Sequence, residues 1–167
     1  MKYAIVFNSQ TGNTKKLADT IANNMPKEDC IYYGQPCKTA LDADVIFVGF
    51  WTEQGQCDSG TEAFFKLITN QKIFVFGTAG FGSNPNYLKK VLRQSEGLLP
   101  KNVNLIGDFI CQGQMPAIVR TKYEDMLKNP LTKKKGEMFI ENFDMAIGHP
   151  NLTDLDNLAT IIKNLDF

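Results

Sequence analysis

The chain has 167 residues, of which 43% are hydrophobic and 22% are charged, as in an ordinary globular protein with one domain spanning residues 1–167. Eighteen basic side chains balance eighteen acidic ones, so the charge gives no reason to expect a nucleic acid or a membrane as a partner. Met1 and Lys2 lead straight into a short apolar run that is unlike a secretory signal, and we expect a cytoplasmic protein.

Five runs of residues predict the strands of a sheet. Three of them are almost entirely apolar, which is typical of strands buried on both faces of a parallel sheet: Tyr3–Phe7, Val45–Gly49 and Ile73–Gly77. Cys30–Tyr33 and Val103–Cys111 are more mixed, as edge strands would be.

Helical patterns separate these strands. Apolar side chains recur on one face from Leu17 to Met25, and Pro26 then stops the first helix. Ser59 and Glu62 have the spacing of a capping box and predict the start of a second helix.

Two further helices follow. Asn84 and Pro85 predict the cap and first turn of one, which Gly97 ends, and the segment from Thr153 to Asp156 predicts the cap of the last. The alternation predicts an α/β fold, a doubly wound, five-stranded parallel sheet with strand order 2-1-3-4-5 and helices on both faces.

The segment 112–150 is longer than a link between a strand and the last helix requires. We predict a helix near Ile118–Lys128 within it. The run Lys133–Lys135 is interpreted as a solvated turn, with a docking patch as the alternative.

The loop at residues 8–14, NSQTGNT, follows the first strand, where ligands bind in open α/β sheets. It combines the hydroxyls of Ser9, Thr11 and Thr14, the amide of Asn13 and the small Gly12 with the free N–H groups of a helix start, which attract an anion such as phosphate. The sequence has neither a P-loop lysine nor a G-x-G-x-x-G motif, so the neutral donors favour a single terminal phosphate. A polar turn with a helix cap is the alternative.

Two other loops leave the same edge of the predicted sheet. Trp51 follows the third strand, as either a lid on the core or a stacking plate for a flat ligand. The loop 78–87 supplies small residues for close approach, together with Phe81 and Tyr87. Three such loops together predict a site for a phosphorylated planar heterocycle.

These features resemble the flavodoxin family, whose phosphate loop reads [ST]-x-T-G-x-T and is matched by residues 9–14. The stretches GFWTEQGQCD, FGTAGFG, GDFICQGQM and GHPNLTDLDNLA resemble small flavodoxin-like proteins of anaerobic bacteria, some of which accompany bilirubin-reducing enzymes. The resemblance covers the whole chain and implies a flavodoxin-like fold with non-covalently bound FMN.

The resemblance also assigns the cofactor-binding residues. It implies that the FMN phosphate binds to six residues of the first loop: Ser9, Gln10, Thr11, Gly12, Asn13 and Thr14. It implies that the ring lies between residues of the two later loops: Trp51, Thr52 and Gly55 on one side, and Thr78, Ala79, Gly80 and Phe81 on the other.

The acids Glu53 and Asp58 either lie near the ring, where they would disfavour an anionic reduced flavin, or face water. His149 is expected to lead into the last helix, and Cys57 and Cys111 to be small buried hydrophobes. The four cysteines form no C-x-x-C pair, so we expect reduced thiols and no metal site. We therefore assign no catalytic residue.

Two functions are compatible with these features. The first is an FMN-binding electron-transfer protein that passes low-potential electrons to a dedicated redox partner, as a monomer or weak dimer. The second is an FMN-dependent reductase that acts directly on a small acceptor such as a quinone or a bilin. The balanced charge departs from the acidity that is usual in electron-carrier flavodoxins and argues against a shuttle with many partners.

Overall fold

A computed structural model describes residues 1–82 and 84–167. Its sheet has five parallel strands in the order β2-β1-β3-β5-β6, and a two-residue strand, β4, pairs antiparallel with the end of β3. The strands are β1 Tyr3–Phe7, β2 Cys30–Gly34, β3 Val45–Glu53, β4 Gln56–Cys57, β5 Lys72–Ala79 and β6 Asn104–Gln112. The predicted order 2-1-3-4-5 is confirmed, because β4 lies outside the parallel series.

The described residues form six α-helices beside the sheet: α1 Asn13–Asn23, α2 Ser59–Phe65, α3 Pro85–Glu96, α4 Ala117–Met126, α5 Lys133–Ala146 and α6 Leu152–Lys163. Short 3-10 turns at Lys27–Asp29 and Lys38–Asp42 precede β2 and β3. No helix within residues 1–82 and 84–167 combines the length and the apolar character needed to cross a membrane.

The sheet separates two apolar clusters. One packs beneath α2 and α3 and includes Phe50 and Phe65, and the other packs beneath α1 and α6 and includes Phe47 and Leu158. Close approach between β3 and β5 depends on glycine, since a Cβ on Gly77 would come within 2.4 Å of the Phe50 ring. The fold thus has a core on both faces of the sheet, as predicted for a doubly wound fold.

Two predicted helix caps are wrong in register. Asp58 caps α2, because its side chain accepts a hydrogen bond from Thr61 N at 3.0 Å. Asn151 caps α6, and its side chain and that of Asp154 form a reciprocal capping box. In both cases several capping-type residues are adjacent in sequence, and the side chain that meets the free N–H groups is decided by how the preceding chain enters the helix.

The interpretation of Lys133–Lys135 as a turn is also wrong, because these residues form the first turn of α5. Lysine is a good helix former, and the residues that follow in α5 have a buried stripe that includes Phe143 and Ala146. At Gly136 a Cβ would lie 3.0 Å from Met126 Cβ, so α4 and α5 are closely packed there.

Candidate functional site

A cavity of about 450 Å³ lies at the carboxyl ends of the parallel strands, where β1, β3 and β5 release the three loops. Nine of the thirteen predicted cofactor-binding residues line it: Gln10, Thr11, Asn13, Trp51, Thr52, Gly55, Thr78, Gly80 and Phe81. The four others, Ser9, Gly12, Thr14 and Ala79, lie in the same loops but are not part of the lining. The volume falls within the range of small-molecule and cofactor sites.

The first loop turns sharply into α1 at Gly12, which has a φ of 87°. The Ser9 hydroxyl oxygen accepts hydrogen bonds from Gly12 N at 3.1 Å and from Lys15 N at 3.3 Å, so it shapes the turn while its own hydrogen stays free to donate. The backbone N–H groups of Gln10, Thr11, Asn13 and Thr14 have no acceptor within residues 1–82 and 84–167. They form a group of unsatisfied donors at the positive end of an 11-residue helix.

Thr14 has a different position from the other residues of this loop. It is 1% exposed, and its hydroxyl donates to Phe50 O at 3.1 Å. Its Oγ1 atom also lies 3.1 Å from Thr78 Oγ1. The side chain therefore links the first loop to the second and the third.

The second loop is the tight hairpin between β3 and β4. Gln54 and Gly55 both have positive φ, 50° and 87°, as a two-residue turn of type I′ requires. The Thr52 hydroxyl donates to Thr78 O at 2.8 Å, and Trp51 O accepts from Asp58 N at 3.1 Å. The backbone on both sides of the tryptophan is thus fixed, and the half-buried indole lines the cavity.

The two acidic residues in and after this hairpin, Glu53 and Asp58, accept hydrogen bonds at the start of helix α2. Asp58 is 3% exposed and accepts hydrogen bonds from Thr61 and from Asn8 Nδ2, the latter at 2.7 Å. Glu53 accepts from Ser59 N at 3.1 Å. Neither side chain lines the cavity, and Asp58 is buried, so the structure does not place Asp58 in water either.

The third loop carries Phe81 into an aromatic cluster with Tyr87, Tyr123 and Phe139. The ring of Phe81 meets that of Phe139 edge-to-face, with 4.9 Å between centroids. Phe81 is therefore part of an aromatic wall formed with α3, α4 and α5, rather than an isolated plate.

Gly80 lies beside that wall, and its carbonyl oxygen accepts hydrogen bonds from Gln112 Nε2 at 3.0 Å and Asn142 Nδ2 at 3.1 Å. A Cβ at Gly80 would come within 2.6 Å of Met115 Cγ, so the methionine lies directly against the loop. These contacts hold the third loop between β6, α5 and the segment that follows β6.

Sequence reasoning missed the contribution of that segment. Its residues in the lining are Gly113, Gln114, Met115, Pro116, Val119 and Tyr123, and Gln54 and Tyr87 of the other two loops complete the lining. Asn13 Nδ2 donates to Gln114 O at 2.8 Å, which connects the first loop to the start of α4. In the sequence, the excess length of residues 112–150 indicated an additional element. That length does not indicate which side of the cavity the element lines.

The other reactive candidates lie outside the lining of the cavity. Burial first, with Asp58 and Glu62 nearby, raises the pKa of Cys57 to about 12, and burial also raises the pKa of Cys111. His149 Nδ1 lies 2.7 Å from Asp154 Oδ2, at the start of α6. Cys57 and Cys111 are thus buried in the core, and His149 leads into the last helix, as expected from the sequence.

Unsatisfied N–H donors at a helix start, next to an indole and an aromatic wall, fit a planar cofactor that carries one phosphate. The fold and the site together define a doubly wound protein that binds a phosphorylated cofactor. A family model described as a flavodoxin domain matches residues 4–163. The chain belongs to the flavodoxin family, whose cofactor is FMN.

Similar proteins agree with this assignment. The flavodoxin-like domain-containing protein BilS of Clostridium symbiosum is 33% identical over 93% of this chain and 90% of its own length. BilS of Clostridioides difficile is 29% identical over 99% of this chain and 96% of its own length. A flavodoxin of Streptococcus pneumoniae has the same fold, with a TM-score of 0.52 and 18% identity over 88% of this chain and 100% of that one.

Proposed function

We propose that FMN binds in the cavity and that the protein passes low-potential electrons to a dedicated redox partner. The observation that carries the proposal is the group of N–H donors of Gln10, Thr11, Asn13 and Thr14, which have no acceptor among the described residues and open beside Trp51. A phosphate at the start of α1 would satisfy those donors and interact favourably with the helix dipole.

The first loop would hold the phosphate with backbone N–H groups and with the hydroxyls of Ser9 and Thr11. Gly12 leaves open space beside this turn, since nothing lies within 4 Å of a Cβ built there. Thr14 would act indirectly, by fixing the three loops relative to one another.

The ring would lie between Trp51, Thr52 and Gly55 on one side and residues 78–81 on the other. When bound, FMN supplies the electron-transfer chemistry, and the protein sets its potential through packing, hydrogen bonds and nearby charge. The described lining contains neutral side chains only. Because no cation there would stabilise a negative charge on the ring, such a cavity favours a low reduction potential.

A carrier is favoured over a reductase by the same lining. It contains no histidine, carboxylate, lysine or arginine among the described residues, so it offers no ready general acid or base near neutral pH. Tyr87 and Tyr123 are the titratable groups in it, and burial raises the pKa of both.

The cofactor is tested by purifying the protein under mild conditions, recording its visible spectrum and identifying the released flavin. A colourless protein that cannot be reconstituted with FMN would exclude both candidate functions. The carrier is tested by steady-state assay with NADH or NADPH and a quinone; fast turnover without a partner reductase would establish the reductase instead.

A further inference from the structure

The outer face of helix α5 and of the turn before it carries a stripe of exposed residues, here named the α5 stripe. Successive members lie alternately three and four residues apart, the repeat with which one helix packs along another: Leu131, Lys134, Met138, Glu141 and Met145. The three apolar members are 94%, 56% and 53% exposed in chain order, although all are large. Exposed apolar side chains on one face are typical of an interaction surface, and methionine adapts well to a partner.

Leu131 is the most exposed member of the stripe, and it is held in place by the turn between α4 and α5. A hydrogen bond of 2.9 Å from Lys133 N to Asn129 O closes a helical turn ahead of α5, so Leu131 continues the path of the helix. Leu131 N donates to Asn129 Oδ1 at 2.9 Å, and the Thr132 hydroxyl donates to Met126 O at 2.7 Å. The turn therefore presents the leucine outward in a fixed position.

Two hollows of about 640 and 400 Å³ flank the stripe, and Glu141 and Met145 line both of them. Leu127 and Ile140 add further apolar side chains to the larger hollow. One face thus presents a protruding apolar side chain, Leu131, together with an apolar recess. A surface that carries both parts is able to bind a second copy of itself about a two-fold axis.

The charges along α5 oppose the dipole of the helix. The first turn carries Lys133, Lys134 and Lys135 and no acidic residue. The second half carries Glu141 and Asp144, and the last turn has no basic residue. Cations at the start of a helix and carboxylates near its end are both unfavourable to the dipole. An antiparallel helix with the same charges would compensate both ends.

Most of these charges also lack an ion partner within the chain. Lys133, Lys134 and Glu141 form no ion pair among residues 1–82 and 84–167. Asp144 is the exception, because it is paired with Arg120. Two cations at one end of the stripe and a carboxylate near the other are thus free to interact with another molecule.

We propose that the protein forms a homodimer in which the α5 stripe packs antiparallel against the α5 stripe of a second copy. With the two-fold axis at Met138, Leu131 of each copy packs against Met145 of the other. Lys134 then lies beside Glu141 of the other copy, and the basic start of each helix faces the acidic end of its counterpart. The chain carries no net charge, which favours association of like molecules. This inference goes beyond the proposed function and does not depend on bound FMN.

The other charged residues of α5 limit the strength of the contact. Glu137 lies next to the axis and would face its own copy, which weakens the dimer. Lys135 lies over the Phe139 ring at 5.3 Å, away from the stripe. The stripe from residue 131 to residue 145 is roughly 20 Å long, which is short for a specific interface. We therefore expect a dimer that dissociates at micromolar concentrations.

Sedimentation equilibrium of the purified protein from micromolar to millimolar concentrations tests the dimer and its charge pairs. Lys134→Glu and Glu141→Lys should each raise the dissociation constant about fivefold or more, because each places like charges side by side. The double variant exchanges the two charges and should return to within about twofold of the parent, a non-additive result. Glu137→Gln should tighten the dimer. A monomer at every concentration, or a double variant as weak as the sum of the single ones, overturns the proposal.

Disulfide cross-linking in a Cys37→Ser background, which removes the exposed thiol, tests the register. Met138→Cys should form a linked dimer on mild oxidation, because this position meets its own copy at the axis. Leu131→Cys mixed with Met145→Cys should cross-link several-fold more than either variant alone. The matched control is Asn157→Cys, which is exposed on α6. Equal yields from the control and from Met138→Cys, or no gain on mixing, overturn the proposal. A protein that binds no FMN defeats the proposed function, while both measurements still decide the dimer.

Discussion

The Oγ1 atoms of Thr14 and Thr78 lie 3.1 Å apart, at a buried point where the loops after β1 and β5 meet. The Thr14 hydroxyl also donates to Phe50 O. Thr14→Val keeps the shape but leaves these buried groups without a partner, which costs about 1–3 kcal/mol. We expect the apoprotein to lose about that much free energy of unfolding in urea titrations.

Thr11 provides the matched variant. Its side chain is exposed, lines the cavity and has no hydrogen-bond partner among the described residues. Thr11→Val should leave the stability of the apoprotein within about 0.5 kcal/mol, as for most surface changes. It should nevertheless weaken FMN binding several-fold in a fluorescence titration. Equal effects of both variants on apoprotein stability would contradict the separate roles given to the two hydroxyls.

Asp58 and Ser59 compete for the cap of α2, and the structure assigns it to Asp58. Asp58→Ala leaves Thr61 N and Asn8 Nδ2 without their acceptor, so we expect a loss of roughly 2 kcal/mol in the free energy of unfolding. Ser59→Ala should change it by less than about 0.5 kcal/mol. The reverse order in thermal or urea unfolding would restore the cap predicted from the sequence.

Sequence patterns predict the strands of this protein better than they predict its helix caps and loop conformations. Buried strands such as Tyr3–Phe7 and Ile73–Gly77 were predictable because a short continuous run of apolar residues is typical of a strand that is buried on both faces of a parallel sheet. Loop conformations depend on contacts distant in sequence, such as the Asn13 amide with Gln114 O, and no local pattern encodes those. The loop at residues 8–14 was recognisable in the sequence as a motif, whereas the wall built by residues 113–123 was not.

Trp51 lines the cavity from a backbone fixed on both sides, and removal of its indole should affect the ligand more than the fold. Trp51→Ala should weaken FMN binding about tenfold, by the loss of stacking and buried area, while Trp51→Phe retains most of the affinity. Phe81→Ala should also lower apoprotein stability by about 2 kcal/mol, because Phe81 packs on Phe139. Isothermal titration with FMN and urea unfolding distinguish the two roles.

Glu96 at the end of α3 makes stability depend on pH. Its Oε2 lies 2.6 Å from Arg93 Nη1, but its Oε1 is buried without a hydrogen-bond partner among the described residues. Burial first, and the nearby carboxylate of Asp108, raise the pKa of Glu96 above its ordinary value. The folded state thus binds this proton more tightly than the unfolded state does, and that contribution is lost as pH rises through the folded-state pKa.

Glu96→Gln should therefore be more stable than the parent protein at pH 7, and the difference should disappear below about pH 4, under the ordinary pKa of glutamate. Urea unfolding across this range measures it. Asp108→Asn should reduce the same pH dependence, because it removes a negative charge beside Glu96. A difference between Glu96→Gln and the parent that is constant with pH would show that Glu96 has the same pKa in both states.

Gly113 and Asn13 connect the first loop to the segment 113–123. A Cβ on Gly113 would lie 2.7 Å from Asn13 Nδ2, so Gly113→Ala should displace the amide and break its hydrogen bond to Gln114 O. Asn13→Ala removes the same bond directly, and each change should speed FMN release several-fold. Because both act on one contact, the double variant should be no worse than either single one, a non-additivity that a double-mutant cycle measures.

Gly97→Ala is the control, since its Cβ would meet neighbouring atoms at 3.4 Å and its φ of −62° suits alanine. Additive effects of Gly113→Ala and Asn13→Ala would mean that the two residues act on FMN separately, and that the start of α4 is not held by this contact.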